Sequence, residues 1–238
     1  VMLKNNGVLP AKPDGHILVA GDGADDIARQ SGGWTLSWQG TGMDNSQFPG
    51  ATSLWRGIEQ AVEASGGSAE LAPNGEYEQR PDVAIVVFGE TPYAEFQGDI
   101  ASLQLRPELR RPIETMRRLK AEGIPTVAVM ITGRPLYVNE ALNSADAFVV
   151  AWLPGSEGAG VADMLFAGTD GEPAFEFQGR LPTAWPATAQ HGGPTLFPFG
   201  YGLRYAEGAR AWTTLAEDNG VDDDGSGGAP AASGASEG

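Results

Sequence analysis

Four short apolar runs stand out along the chain: His16 to Ala20, Val83 to Phe88, Thr126 to Ile131 and Ala147 to Trp152. They are β-branched or apolar throughout, bounded by Gly or Pro, and too short for buried helices, so they predict strands buried on both faces. Between them the spacing becomes helical. Leu54, Ile58, Ala61 and Val62 share one face of Ser53 to Ser65, and Leu109, Ile113, Met116 and Leu119 share one face of Pro107 to Glu122. The second helix has Pro107 and Glu108 in its first turn and Arg117, Arg118 and Lys120 near its end, charges that complement the macrodipole; Gly123 stops it. A third helix is expected from an N-capping Ser156 through Val161, Met164 and Leu165 to Gly168. Strands alternating with helices predict an α/β fold: a doubly wound, mainly parallel sheet flanked by helices.

At 238 residues and 41% hydrophobic content, one main domain is expected. The formal charge of −16 disfavours phosphate backbones and anionic lipid surfaces, so neither nucleic acid nor membrane is expected as a partner. The chain has no cysteine, which excludes disulfides and thiolate metal sites and leaves the compartment open. Val1 to Asn6 carry no initiator Met and no signal pattern, and read as a cut inside a longer protein. From about Trp212 the composition shifts: Glu217, Asp218, Asp222, Asp223, Asp224 and Glu237 sit among Gly, Ala and Ser. Such a segment buries too little apolar surface to offset its ordering entropy, so residues 211–238 are expected to be a disordered acidic linker.

In an open parallel sheet, ligands bind beyond the carboxyl ends of the strands. Loops leaving at Gly21, Gly89, Gly133 and Pro154 should therefore gather on one side. The first, Gly21 to Gln47, is too long for a plain connection and holds Trp34 and Trp38. An exposed indole packs well against the apolar C–H face of a pyranose; the alternative is that both indoles cover the sheet edge. The second loop carries Glu90, Glu95 and Asp99. Close carboxylates raise one another's pKa, which keeps a general acid protonated, although the same spacing suits solvated loop acids.

Other chemistries fit less well. Gly21-Asp22-Gly23-Ala24-Asp25-Asp26 puts Asp26 at the third glycine position of a dinucleotide loop, where its charge would repel a pyrophosphate. The two histidines, His16 and His191, suggest no catalytic triad, and Gly155-Ser156-Glu157-Gly158 lacks the spacing of a nucleophile elbow. No metal-ligand spacing occurs, so no metal and no cofactor is expected.

A set of motifs, taken in order, resembles one family. Leu3-Lys4-Asn5-Asn6 with Val8-Leu9-Pro10, Gly32-Gly33-Trp34 to Trp38-Gln39-Gly40, Gly89-Glu90 to Pro92-Tyr93-Ala94-Glu95, and Gly133-Arg134-Pro135 come first. Trp152 to Gly158, Gly179-Arg180-Leu181-Pro182 and Phe197 to Leu203 follow. Together, over roughly residues 1–205, they resemble the second, α/β-sandwich domain of family 3 glycoside hydrolases, in its exo-β-1,3/1,4-glucanase and β-glucosidase branch. The resemblance implies a connector from a barrel domain at 1–15, the sandwich domain at 16–210 and a linker at 211–238. It implies that Glu95 is the general acid/base and that Trp34 and Trp38 form an aromatic clamp at the +1 subsite. Glu90 is the alternative acid. The nucleophile would belong to the barrel, making this chain half of a retaining β-glucosidase site that is inactive alone. The implied partners are β-glucan or β-glucoside oligosaccharides and the chain's own barrel domain, and the implied location is periplasmic or secreted. The alternatives are a non-catalytic carbohydrate-binding or structural module, and a β-xylosidase of the same superfamily.

Overall fold

The computed structural model describes residues 1–221, so the part of the expected acidic tail at 222–238 lies outside the described residues. Six strands form one sheet in the order β1 (Met2–Asn5), β6 (Ala147–Trp152), β5 (Thr126–Ile131), β4 (Val83–Gly89), β2 (His16–Ala20) and β3 (Ser68–Leu71). Every neighbouring pair is parallel except β1 with β6. A ribbon of β7 (Trp185–Pro186) and β8 (Thr195–Phe197) lies apart from the sheet.

Successive residues of a strand point to opposite faces, and both faces here are covered. Helices α2 (Leu54–Ala64) and α5 (Gly158–Asp163) lie on one face, where Leu54, Ile58, Val62 and Ala162 pack with Ile17, Val19, Ile85 and Val87. Helices α3 (Arg111–Ala121) and α4 (Asn139–Ser144) lie on the other, where Ile113, Met116 and Leu142 pack with Leu18, Val86 and Met130. The sheet is thus doubly wound. Because β2 leads to α2 on one face and β4 leads to α3 on the other, the chain diverges between their carboxyl ends. That crevice is the topological switch point, where open α/β sheets place their ligands.

Several local expectations shift. Ser53, expected inside the first helix, caps α2 instead, accepting from the Arg56 amide. The helix expected from Pro107 is split: Pro107–Leu109 is a 3₁₀ turn, and α3 starts at Arg111 with Pro112 in its first turn, where a missing N–H is harmless. Ser156 caps nothing. Its hydroxyl donates to Glu157, and α5 is a short helix that stops at Asp163 rather than reaching Gly168. Residues 1–15, expected as a connector, supply the edge strand β1. Within it Lys4 is buried, donating to the Leu142 and Ala145 carbonyls at 2.7 and 2.5 Å, and burial pushes its ammonium down to about 8. β3 was not expected either, being short, partly exposed and polar at Ser68 and Glu70.

The start of the acidic segment is tied down. Trp212 stacks 4.5 Å from the Lys4 ammonium and donates to Asn143, whose side-chain amide in turn donates to the Leu215 carbonyl. Trp212→Ala should therefore destabilise the domain by about 1–2 kcal/mol, from lost apolar burial and the cation–π contact. Urea unfolding with an unchanged midpoint would show that this strap carries no stability.

Candidate active site

The loop after β2 begins with α1 (Ile27–Ser31), capped by Asp26, and then turns sharply. The Trp34 amide donates to the Trp38 carbonyl at 2.9 Å, closing a turn in which Trp34 and Leu36 both have φ of 60°. Bulky residues seldom adopt that left-handed backbone, and such strain gathers at ligand sites. The turn projects both indoles outward with ring centroids 6.3 Å apart, and Trp34 is 70% exposed. They do not cover the sheet edge.

The loop after β4 meets this turn directly. Gly33 lies against it: a Cβ there would fall 2.0 Å from the Tyr93 carbonyl oxygen, so only glycine allows the approach. Gln39 then clips the two loops together, its amide donating to the Glu95 carbonyl at 3.0 Å and its carbonyl accepting from the Ala94 amide at 2.7 Å. The result places one carboxylate oxygen of Glu95 within 3.0 Å of the Trp34 indole nitrogen and 2.7 Å of that of Trp38. Both indoles donate to it. The three residues singled out from the sequence as acid and clamp are thus one hydrogen-bonded cluster at the switch point.

Glu90 has a different environment. Arg134 donates to one of its oxygens through Nε at 2.9 Å, and Thr132 donates to the other at 2.7 Å. Its side chain is only 12% exposed. Arg134 also lies 4.0 Å over the Tyr93 ring and donates to the Gly98 carbonyl, so it anchors the Glu95 loop at both ends. Burial, reinforced by Glu90, pushes the Tyr93 phenol up to about 12 and keeps it neutral. Gly89 permits the bend into this loop, since a Cβ there would lie 1.8 Å from the Ile131 carbonyl oxygen. Asp99 is exposed.

The expectation that neighbouring carboxylates raise the pKa of the acid is not met. Glu90 is neutralised by Arg134, while the neighbours of Glu95 are donors: the Trp38 indole first, then its own backbone amide and the Trp34 indole hold its carboxyl below the ordinary glutamate range. The donors stabilise the ionised form, so deleting one favours protonation. Trp38→Phe should raise the Glu95 pKa, and Trp34→Phe should raise it less. Carbon-13 titration of the Glu95 carboxyl checks the sign; a lower pKa in Trp38→Phe would contradict it.

Sequence patterns pointed to the loops but not to Gln39 or Arg134 as their fasteners. Both lie inside the motifs Trp38-Gln39-Gly40 and Gly133-Arg134-Pro135, which was the available signal. The histidines play no part: His16 bonds Ser68, and His191 lies 3.0 Å from the Ile100 carbonyl. Among the described residues, no group of three or more His, Asp or Glu could hold a metal ion, and no helix is long and apolar enough to cross a membrane.

Comparison with known proteins agrees with the family resemblance. An exo-1,3/1,4-β-glucanase from a Pseudoalteromonas species superposes with a TM-score of 0.88 at 46% identity, covering 93% of this chain and 29% of that one. The lysosomal β-glucosidase of Dictyostelium discoideum is 31% identical over 86% of this chain, and the periplasmic β-glucosidase of Salmonella typhimurium is 28% identical over 86%. The chain spans 28% and 33% of the lengths of those two relatives. The glycosyl hydrolase family 3 C-terminal domain matches residues 1–205, and the chain belongs to that family as this domain.

Proposed function

We propose that this domain completes the active site of a retaining, exo-acting β-glucosidase or β-glucan glucohydrolase, with Glu95 as general acid/base and Trp34 and Trp38 as walls of the +1 subsite. The observation that carries the reading is the convergence of two exposed indole N–H groups on one Glu95 oxygen. It ties the proton-transfer group to the aromatic surface on which the leaving sugar would rest. In β-glucopyranose every ring substituent is equatorial, so both ring faces present C–H bonds to an indole.

Retaining hydrolysis uses two carboxyl groups about 5–5.5 Å apart, one protonating the leaving oxygen while the other attacks the anomeric carbon. Glu95 supplies the first. In the second step, the same carboxylate takes a proton from the attacking water, and its two indole donors favour the ionised form that this step needs. For the first step it must be protonated. Enclosure by the remainder of the protein, beside the ionised nucleophile, would raise its pKa through desolvation and like charge. Formation of the glycosyl ester removes the nucleophile's charge, and the pKa falls again.

The nucleophile and most −1 contacts lie, in this reading, outside residues 1–221, and the isolated chain is inactive. The periplasmic relative supports a periplasmic location, whereas the Dictyostelium discoideum relative is lysosomal. The test is to treat the complete enzyme with a 2-deoxy-2-fluoro-β-glucoside bearing a good leaving group, which traps the glycosyl ester. Peptide mapping should place the label outside this chain. A label on Glu95 or Glu90 would overturn the division of roles.

A further inference from the structure

Phe96 directly follows Glu95 and plays no role in the reading above. Its side chain is 75% exposed and its φ is 70°, a left-handed conformation that bulky residues seldom adopt. Burial does not compensate for that backbone. The ring meets Trp38 with centroids 5.8 Å apart and planes at 90°. Two exposed aromatic surfaces therefore stand at a right angle beside the carboxylate that Trp38 holds at 2.7 Å.

The angle carries chemical information. In a β-1,4-linked glucan the two bonds leave opposite ends of each ring, so the chain is a flat ribbon with successive ring faces roughly coplanar. In a β-1,3-linked glucan the bonds leave at an angle, and successive rings turn. A ribbon lying on Trp38 would run edge-on into Phe96, whereas a turned chain can lay its next ring against it. We infer that Phe96 is the wall of a further leaving-group subsite, beyond the one on Trp38, and that it selects β-1,3-linked over β-1,4-linked chains of three or more glucose units. The inference rests on the function proposed above and adds a linkage-determining residue to it.

The test uses the complete enzyme and compares trisaccharide with disaccharide, so that any general effect on the Glu95 loop cancels. In Phe96→Ala, the ratio of kcat/KM for the β-1,3-linked trisaccharide to that for the β-1,3-linked disaccharide should fall about three- to tenfold, the range for loss of one aromatic contact. The corresponding β-1,4 ratio should change less than about twofold on the same scale. Phe96→Tyr, which keeps the ring, should preserve both ratios. Phe96→Gly relieves the left-handed backbone and should lose the β-1,3 ratio as Phe96→Ala does, which separates the missing ring from a misfolded loop. Unchanged ratios, or equal falls in both linkage series, would overturn the inference while leaving the proposed function standing. A wild-type enzyme that cleaves none of these glucosides would overturn both.

Discussion

Glu95→Ala in the complete enzyme should slow hydrolysis of unactivated β-glucosides by about two to four orders of magnitude, the range for loss of general acid–base catalysis. The size of the loss depends on the leaving group. An alkoxide departs poorly without a proton, whereas a nitrophenolate hardly needs one, so glycosylation by activated aryl glucosides should be far less affected. Deglycosylation then limits turnover, because no base activates the attacking water, and a burst of phenol should precede a slow steady state. Glu90→Ala should show no such leaving-group dependence. Its carboxylate is bonded by Arg134 and Thr132, and its removal loosens the loop instead. The same pattern in Glu90→Ala, and its absence in Glu95→Ala, would exchange the two roles.

The second large effect concerns stability. Arg134→Ala should destabilise the domain by about 3 kcal/mol, because it leaves the Glu90 carboxylate mostly buried without its counter-charge. The replacement also removes the cation over Tyr93 and the donor to the Gly98 carbonyl. The double replacement Arg134→Met with Glu90→Leu should cost less than Arg134→Ala alone, since no unpaired charge remains. Urea unfolding of the single and double variants measures both. A loss below about 1 kcal/mol for Arg134→Ala would show that water reaches Glu90 and that the pair does not hold the loop.

The contrast between these two glutamates shows where the sequence stops being legible. Continuous apolar runs such as Val83 to Phe88 identify buried strands, because a strand covered on both faces has no polar alternation to obscure it. The edge strands gave no such signal. β1 contains Lys4 and Asn5, and only the family resemblance spoke to residues 1–15, implying a connector; in the fold, backbone carbonyls from the α4 region satisfy the buried ammonium. Loop residues depend still more on tertiary contacts. Trp34, Trp38 and Glu95 were found from residue type and motif, but 57 to 61 positions separate each indole from the carboxylate it bonds. Spacing could not show that their N–H groups converge on one oxygen, or that Arg134 pairs with Glu90. The short α5 fails for a related reason: Gly158 and Gly160 weaken its helical tendency, and packing against α2 rather than a Ser156 cap holds it in place.

Glu95 is assigned both proton transfers, to the leaving group and from water, and the product formed by Glu95→Ala in the presence of azide tests that assignment most directly. Azide needs no base, so it should restore turnover by attacking the glycosyl ester. Proton NMR should then identify a β-glucosyl azide, because two successive inversions return the starting configuration. Absence of rescue together with full activity on unactivated substrates, or rescue by azide in Glu90→Ala alone, would contradict the assignment.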